Sequence, residues 1–285
     1  MILSMTGFGR SEGVFEGKKI TVDLKSLNSK SFDLNIKIPF RYKEKEYDLR
    51  KLLNDRVQRG KVDCYVNVES LSEVSETTVN ETLVKSYMAE LKKIAADGPE
   101  FEYLKMAIRM PDAISSKSED LTEEEWNFLV KLVEEALENF GKFRQTEGKI
   151  LQDELTRNID NIESYLSQVE PYEGIRMEGV KERYRKSLSE FDQLDETRFY
   201  QEMAYYTEKL DIAEEKVRLA QHLKYYKEVM QQENFNGKKL GFISQEIGRE
   251  INTLGSKASH AEIQKLVVMM KDDLEKVKEQ TLNVL

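Results

Sequence analysis

Apolar residues alternate with polar ones along the first seventy residues, and after Ser75 they recur every three or four. Ile20, Val22 and Leu24 alternate in one run, and Phe32, Leu34, Ile36 and Ile38 in the next. That period of two gives a strand one buried face. Asn28-Ser29-Lys30 between the runs has turn chemistry and predicts a hairpin. Pro39 closes the third strand, and Tyr47, Leu49, Leu52, Leu53 and Val57 then take helical spacing up to Arg59-Gly60. VDCYVNVES follows as a fourth strand. Strand-strand-strand-helix-strand predicts an α+β unit, a small antiparallel sheet domain over 1–75.

The rest reads as helix. Asn80 caps a helix over about 81–96, which Asp97-Gly98-Pro99 ends. Thr122 and Glu125 form a capping box that opens a helix through Trp126, Leu129, Val130, Val133 and Leu137. Its periodicity continues to Leu166 and Pro171, with Gly141 and Gly148 as the places where it could break. Further helices are predicted over 178–190, 195–231 and 238–255. A last one opens at a second capping box, Ser259 with Glu262, and carries Ile263, Leu266, Val267, Met270, Leu274 and Val277. The expectation is a helical region with a long arm over 76–195 and a C-terminal helical domain over 196–285. Such arms bury their apolar stripes against each other or against another subunit.

Composition narrows the class. A 39% hydrophobic share beside 34% charged residues, with only four prolines, suits a folded protein rich in solvated helices. The single cysteine, Cys64, allows no disulfide within the chain, so a reducing compartment is the natural setting. MILSMTGFGR lacks the apolar core of a secretory signal, and no stretch reaches the roughly 20 apolar residues of a membrane span. A soluble cytoplasmic protein without membrane contact is expected. The net charge of −9 argues against a polyanionic ligand, but residues 1–65 hold 14 Lys/Arg against 9 Asp/Glu. The N-terminal part could face phosphate while the remainder stays acidic.

No phosphate-binding Gly-x-x-x-x-Gly-Lys loop, zinc spacing or Gly-x-Ser-x-Gly elbow occurs, so candidate chemistry lies in charged helix faces. In DIAEEKVRLAQHL, Asp211, Glu215, Arg218 and His222 are spaced 4, 3 and 4 apart and share one helix face, with Glu214 beside them. In QEIGREINTLGSKASH, Glu246, Glu250, Thr253 and Lys257 repeat that spacing, with Arg249 at the edge. Gly255 could supply a left-handed exit that leaves Asn252, Ser256 and Lys257 to meet a phosphate. The sheet domain contributes Arg10, Lys25, Asn28, Lys30, Arg59 and Lys61 as cations and donors for a nucleic-acid backbone, with Asp23 among them. Each set has a plain alternative: an ion-pair ladder on a wet helix, a capped helix end, a solvated sheet face.

Several blocks closely resemble the YicC-type (YloC-type) endoribonuclease family. They are MILSMTGFGRSEG, DLKSLNSKSFDLNIKIP, RGKVD, RQTEG at 144–148, DETRFYQEMA at 195–204, DIAEEKVRLAQHL and QEIGREINTLGSKA. The matching blocks run from residue 1 to about 283, with a variable middle near 70–140. The resemblance implies internal cleavage of structured or small RNA, dependent on a divalent cation such as manganese or magnesium. It also implies a symmetric homo-oligomer, a hexamer, in a bacterial cytoplasm. The combined reading makes Asp211, Glu215, Glu246 and Glu250 the metal ligand set. Arg218 and Arg249 then hold the phosphate, and His222 is a ligand or proton shuttle beside Glu250. Lys30, Lys278, Gly248, His260 and the Asn-Val-Leu end depart from the family's usual residues, and lysine for arginine keeps the charge but loses the bidentate fork. An RNA-binding scaffold that presents RNA to a separate nuclease is the alternative.

Overall fold

Gly7–Phe15 (β1) and Lys18–Leu27 (β2) form the first hairpin. Its turn is Glu16-Gly17, at φ 46° and 74°. This left-handed pair matches the twist of the strands it joins. The computed structural model describes residues 2–29, 31–57, 59–71, 77–95, 97–116, 121–189, 196–232 and 236–285. Lys30 lies outside the described residues.

Asp33–Lys37 (β3) does not turn back on β2, which corrects the hairpin expected at 28–30. It pairs in parallel with Lys61–Ser70 (β4), and β4 pairs antiparallel with β2, giving the order β1-β2-β4-β3. The α+β class stands, but the sheet is mixed and not wholly antiparallel. The cause is the helix Glu46–Arg56 (α1) between β3 and β4, the kind of crossover that parallel neighbours need. Turn residues at 28–30 read the same for either pairing.

One sheet face is apolar, and Ile20, Val22, Leu24, Val62 and Cys64 are fully buried on it. Leu49 and Leu53 of α1 close it on one side, and the first half of Glu123–Ser167 (α4) closes it on the other. Thr122 caps α4 by accepting from the backbone N–H of Glu125 at 3.2 Å. The reciprocal half of that box is absent. Glu125 turns inward instead, where its carboxylate accepts from Tyr42 Oη and Arg41 Nη2, each at 2.5 Å.

Helix α4 runs 45 residues unbroken, so neither Gly141 nor Gly148 interrupts it. Gly148 serves packing: a Cβ there would stand 2.1 Å from the Ile2 carbonyl oxygen. Beyond it, Leu155, Ile159 and Ile162 enter a second core with Ala213–Gln231 (α7), Gly237–Ala258 (α8) and Ala261–Thr281 (α9). One helix thus belongs to both cores. Glu81–Ile94 (α2) and Glu100–Ala107 (α3), with the ribbon Thr77–Val79 (β5) and Ile114–Ser116 (β6), build a small module around Val84, Ala107 and Ala113.

Glu170–Ser189 (α5) and Glu196–Leu210 (α6) pack through Val180, Phe199 and Met203. The single helix expected over 195–231 is therefore two, α6 and α7, parted at Asp211-Ile212. The chain ends meet on α4: Leu285 N–H donates to Leu3 O at 2.9 Å, Met5 N–H to Asn283 O at 2.8 Å, and Ser4 N–H to Arg144 O at 3.1 Å. No helix among the described residues is long and apolar enough to cross a membrane.

Candidate functional site

The two charged stripes meet within one subunit. Helices α7 and α8 form an antiparallel pair, and Lys257 Nζ donates to Glu215 Oε1 at 2.8 Å across their seam. Glu215 is buried because it sits in line with Leu219 and Leu223, the apolar stripe of α7. Seven residues along α7 stands His222, and seven back along α8 stands Glu250. Two helical turns in each direction bring them to the same level of the seam. Glu250 is only 6% exposed, yet it makes no hydrogen bond or ion pair among the described residues. His222 is half-buried, and Arg249 lies exposed beside this level.

Other stripe members separate. Asp211 precedes α7 and accepts from the backbone N–H of Ala213 at 2.9 Å, so it does not share the helix face. Arg218 pairs with Glu214 at 2.5 Å in solvent, and Glu246 is exposed. Gly255 is not the helix exit: α8 continues to Ala258, and the left-handed residue is Ser259 at φ 38°. A Cβ on Gly255 would meet Val267 at 2.9 Å, so its small size serves the packing of α9. Ser256 Oγ donates back to Thr253 O at 2.9 Å, and Asn252 is exposed on the helix. His260, not Ser259, is the cap residue of α9, and Glu262 bonds Lys265 instead of closing a box.

The sheet's open face carries paired charges. Arg10 stands opposite Asp23 and lies 3.8 Å from its carboxylate, with Glu12 at 3.7 Å. Lys25 is opposite Asp63 and lies over the Phe8 ring at 5.9 Å. The local excess of cations in residues 1–65 is therefore not displayed on this face, because cross-strand partners of opposite sign neutralise it. Lys61 is exposed at the start of β4, and Asn28 donates to Leu282 O at 2.7 Å, which ties the end of β2 to the C-terminus.

A third locus lies where the chain ends cross α4. Arg144 is 6% exposed, and its Nη2 donates to Met5 O and Ser26 Oγ at 3.1 Å and to Arg59 O at 3.2 Å. Its guanidinium stacks 4.3 Å from the Phe140 ring centroid. Among the described residues it has no carboxylate partner, and burial pushes it down to about 10. It stays protonated at neutral pH. The Arg59 side chain also has a buried Nε without a partner.

Residues 2–153 match the family region described as endoribonuclease YicC-like, N-terminal, and residues 169–285 match its C-terminal counterpart. The chain belongs to the YicC-like endoribonuclease family. It is 33% identical over 294 residues to the probable endoribonuclease YicC of Clostridioides difficile, with 100% of both chains covered. It is 28% identical over 287 residues to the probable endoribonuclease YicC of Haemophilus influenzae, again over 100% of each.

Blocks that carry the YicC-like resemblance converge at Arg144: the N-terminal segment, the β2 end, RGKVD and RQTEG. Reasoning from residue spacing passes over Arg144, since one arginine on a long amphipathic helix has the signature of a solvated side chain. Its place in the RQTEG block is the signal that could have found it. The expected metal set is not gathered by the fold. Glu215 is committed to Lys257 and Asp211 to a backbone N–H, and no group of three or more His, Cys, Asp or Glu suited to a metal ion occurs among the described residues. Asp211, Glu215, Glu246 and Glu250 therefore do not fit a single ion within one subunit.

Proposed function

We propose that this protein is an endoribonuclease that cuts structured or small RNA internally, with assistance from a divalent cation. The observation that carries the reading is the match of both family regions, over 2–153 and 169–285, with relatives matched over their whole length called probable endoribonucleases. The α7–α8 seam supports it with a carboxylate that has no partner among the described residues. Glu250 is buried without a partner and level with His222, a pair suited to moving a proton at a reacting hydroxyl or water. Arg249, exposed beside them, suits a phosphate, and Arg218 would serve once released from Glu214. No ligands for the cation are assigned within a single subunit. The same reading makes the protein a hexamer in a bacterial cytoplasm. Phe242, Val268 and Met269 are exposed apolar side chains that a second copy could cover.

The test uses purified protein and a labelled stem-loop RNA with manganese, with magnesium and with chelator, beside Glu250→Gln. Expected is internal cleavage that chelator stops and the variant lacks, while RNA binding survives. RNA that is bound but uncut under every condition would replace the enzyme with a scaffold.

A further inference from the structure

Beside Arg144, between α1, α4 and the paired chain ends, lies a cavity of about 500 Å³. Its size falls in the range of small-ligand sites, roughly 300–1,000 Å³. Arg144 and Arg56 line it, the latter as the last residue of α1, and neither makes an ion pair among the described residues. A buried guanidinium without a counter-charge is costly, and surrounding structure must hold it in place. Here Met5, Ser26 and Arg59 bind only Nη2, so the fork is fixed while Nε is buried without a partner and Nη1 makes no bond. That leaves Nη1, together with the Arg56 guanidinium, as the donors for an anion that arrives from outside.

The rest of the lining narrows the occupant. Glu134 and Glu138, one turn apart on α4, face the same space, as do the apolar Leu137 and Phe140. Two carboxylates disfavour a free phosphate. They suit a ligand that is anionic at one end and a hydrogen-bond donor at the other, with a flat apolar middle. A nucleotide unit of RNA has that form, with its phosphodiester, its 2′-hydroxyl and base amino groups, and its base faces.

We infer that the junction cavity binds one nucleotide unit of the RNA chain, with its phosphate held by Arg144 and Arg56. This rests on the RNA reading above and adds a binding site about which the helix stripes say nothing.

The test is fluorescence anisotropy of the full-length protein with a labelled single-stranded RNA, titrated at several salt concentrations. Arg56→Gln is the main variant, because Arg56 is exposed and makes no hydrogen bond or ion pair among the described residues. Expected is binding about tenfold weaker, with a log–log salt slope shallower by about 0.7, one phosphate contact on a single strand. Arg144→Gln should show at least the same loss in protein whose circular dichroism is unchanged. Lys85→Gln, an equal charge change on the remote α2, should bind as wild type does. Wild-type affinity and slope in Arg56→Gln would overturn the cavity site and leave the endoribonuclease reading intact. An equal loss in Lys85→Gln would overturn it too, as a mere net-charge effect. A wild-type protein that binds no RNA would overturn both.

Discussion

Replacing Glu250 by glutamine should make this protein more stable and less active. The carboxylate is 6% exposed in the α7–α8 seam and has no hydrogen-bond or ion-pair partner among the described residues. A carboxylate held in an apolar seam with no protein partner loses part of its hydration, and leaving a polar group uncompensated costs about 1–3 kcal/mol. Glutamine keeps the shape and drops the charge, replacing one acceptor oxygen by an amide nitrogen with two donors. We expect a gain of about 1–2 kcal/mol, which at about 2–4 °C per kcal/mol raises Tm by roughly 2–8 °C. Glu215→Gln is the internal contrast, since that carboxylate is engaged by Lys257 at 2.8 Å and its loss should lower Tm. The assay is calorimetry at neutral pH, run beside RNA cleavage on the same samples. A Tm for Glu250→Gln below wild type would refute the reasoning, because it would mean the charge is compensated. A higher Tm with full cleavage would free Glu250 of any catalytic part. Stability held back at a reacting carboxylate is the usual trade-off of active sites.

Gly148→Ala should destabilise by about 1–3 kcal/mol, because its Cβ would stand 2.1 Å from Ile2 O and a backbone must move. An unchanged thermal midpoint would count against the observed crossing of the chain ends over α4. A double-mutant cycle of Glu215→Gln and Lys257→Met should return a coupling of about 0.5–3 kcal/mol, and additivity of the two changes would remove the seam ion pair. Burial pushes the Cys64 thiol up to about 12. The native thiol should resist a disulfide reagent at pH 8 and react once guanidinium unfolds the chain; equal rates would refute its burial. The unfolded thiol ionises first, so the unfolded state holds fewer protons and stability falls as pH rises from about 9 toward 12. Cys64→Ala should flatten that alkaline slope.

Strands, helices and their apolar faces were legible in the sequence because each rests on local periodicity. Ile20, Val22 and Leu24 alternate, and they are the buried face of β2. Asn80 and Thr122 are caps by chemistry, and both bond the backbone N–H expected of them. The family, too, could be read from blocks of residues. What tertiary structure alone decided was which partner each group meets. Turn residues at 28–30 looked like a hairpin, but α1 carries β3 to the far side of β4. Four carboxylates at matching helical spacings looked like one ligand set, but Lys257 holds Glu215 and Asp211 lies off the helix. Arg144 gave no periodic signal. Its position depends on Met5, Ser26 and Arg59, residues far apart in the chain that only the closed fold brings to one guanidinium. Periodicity reports which side of an element is wet, whereas pairing across elements depends on topology, and topology is set by the packing of the whole chain.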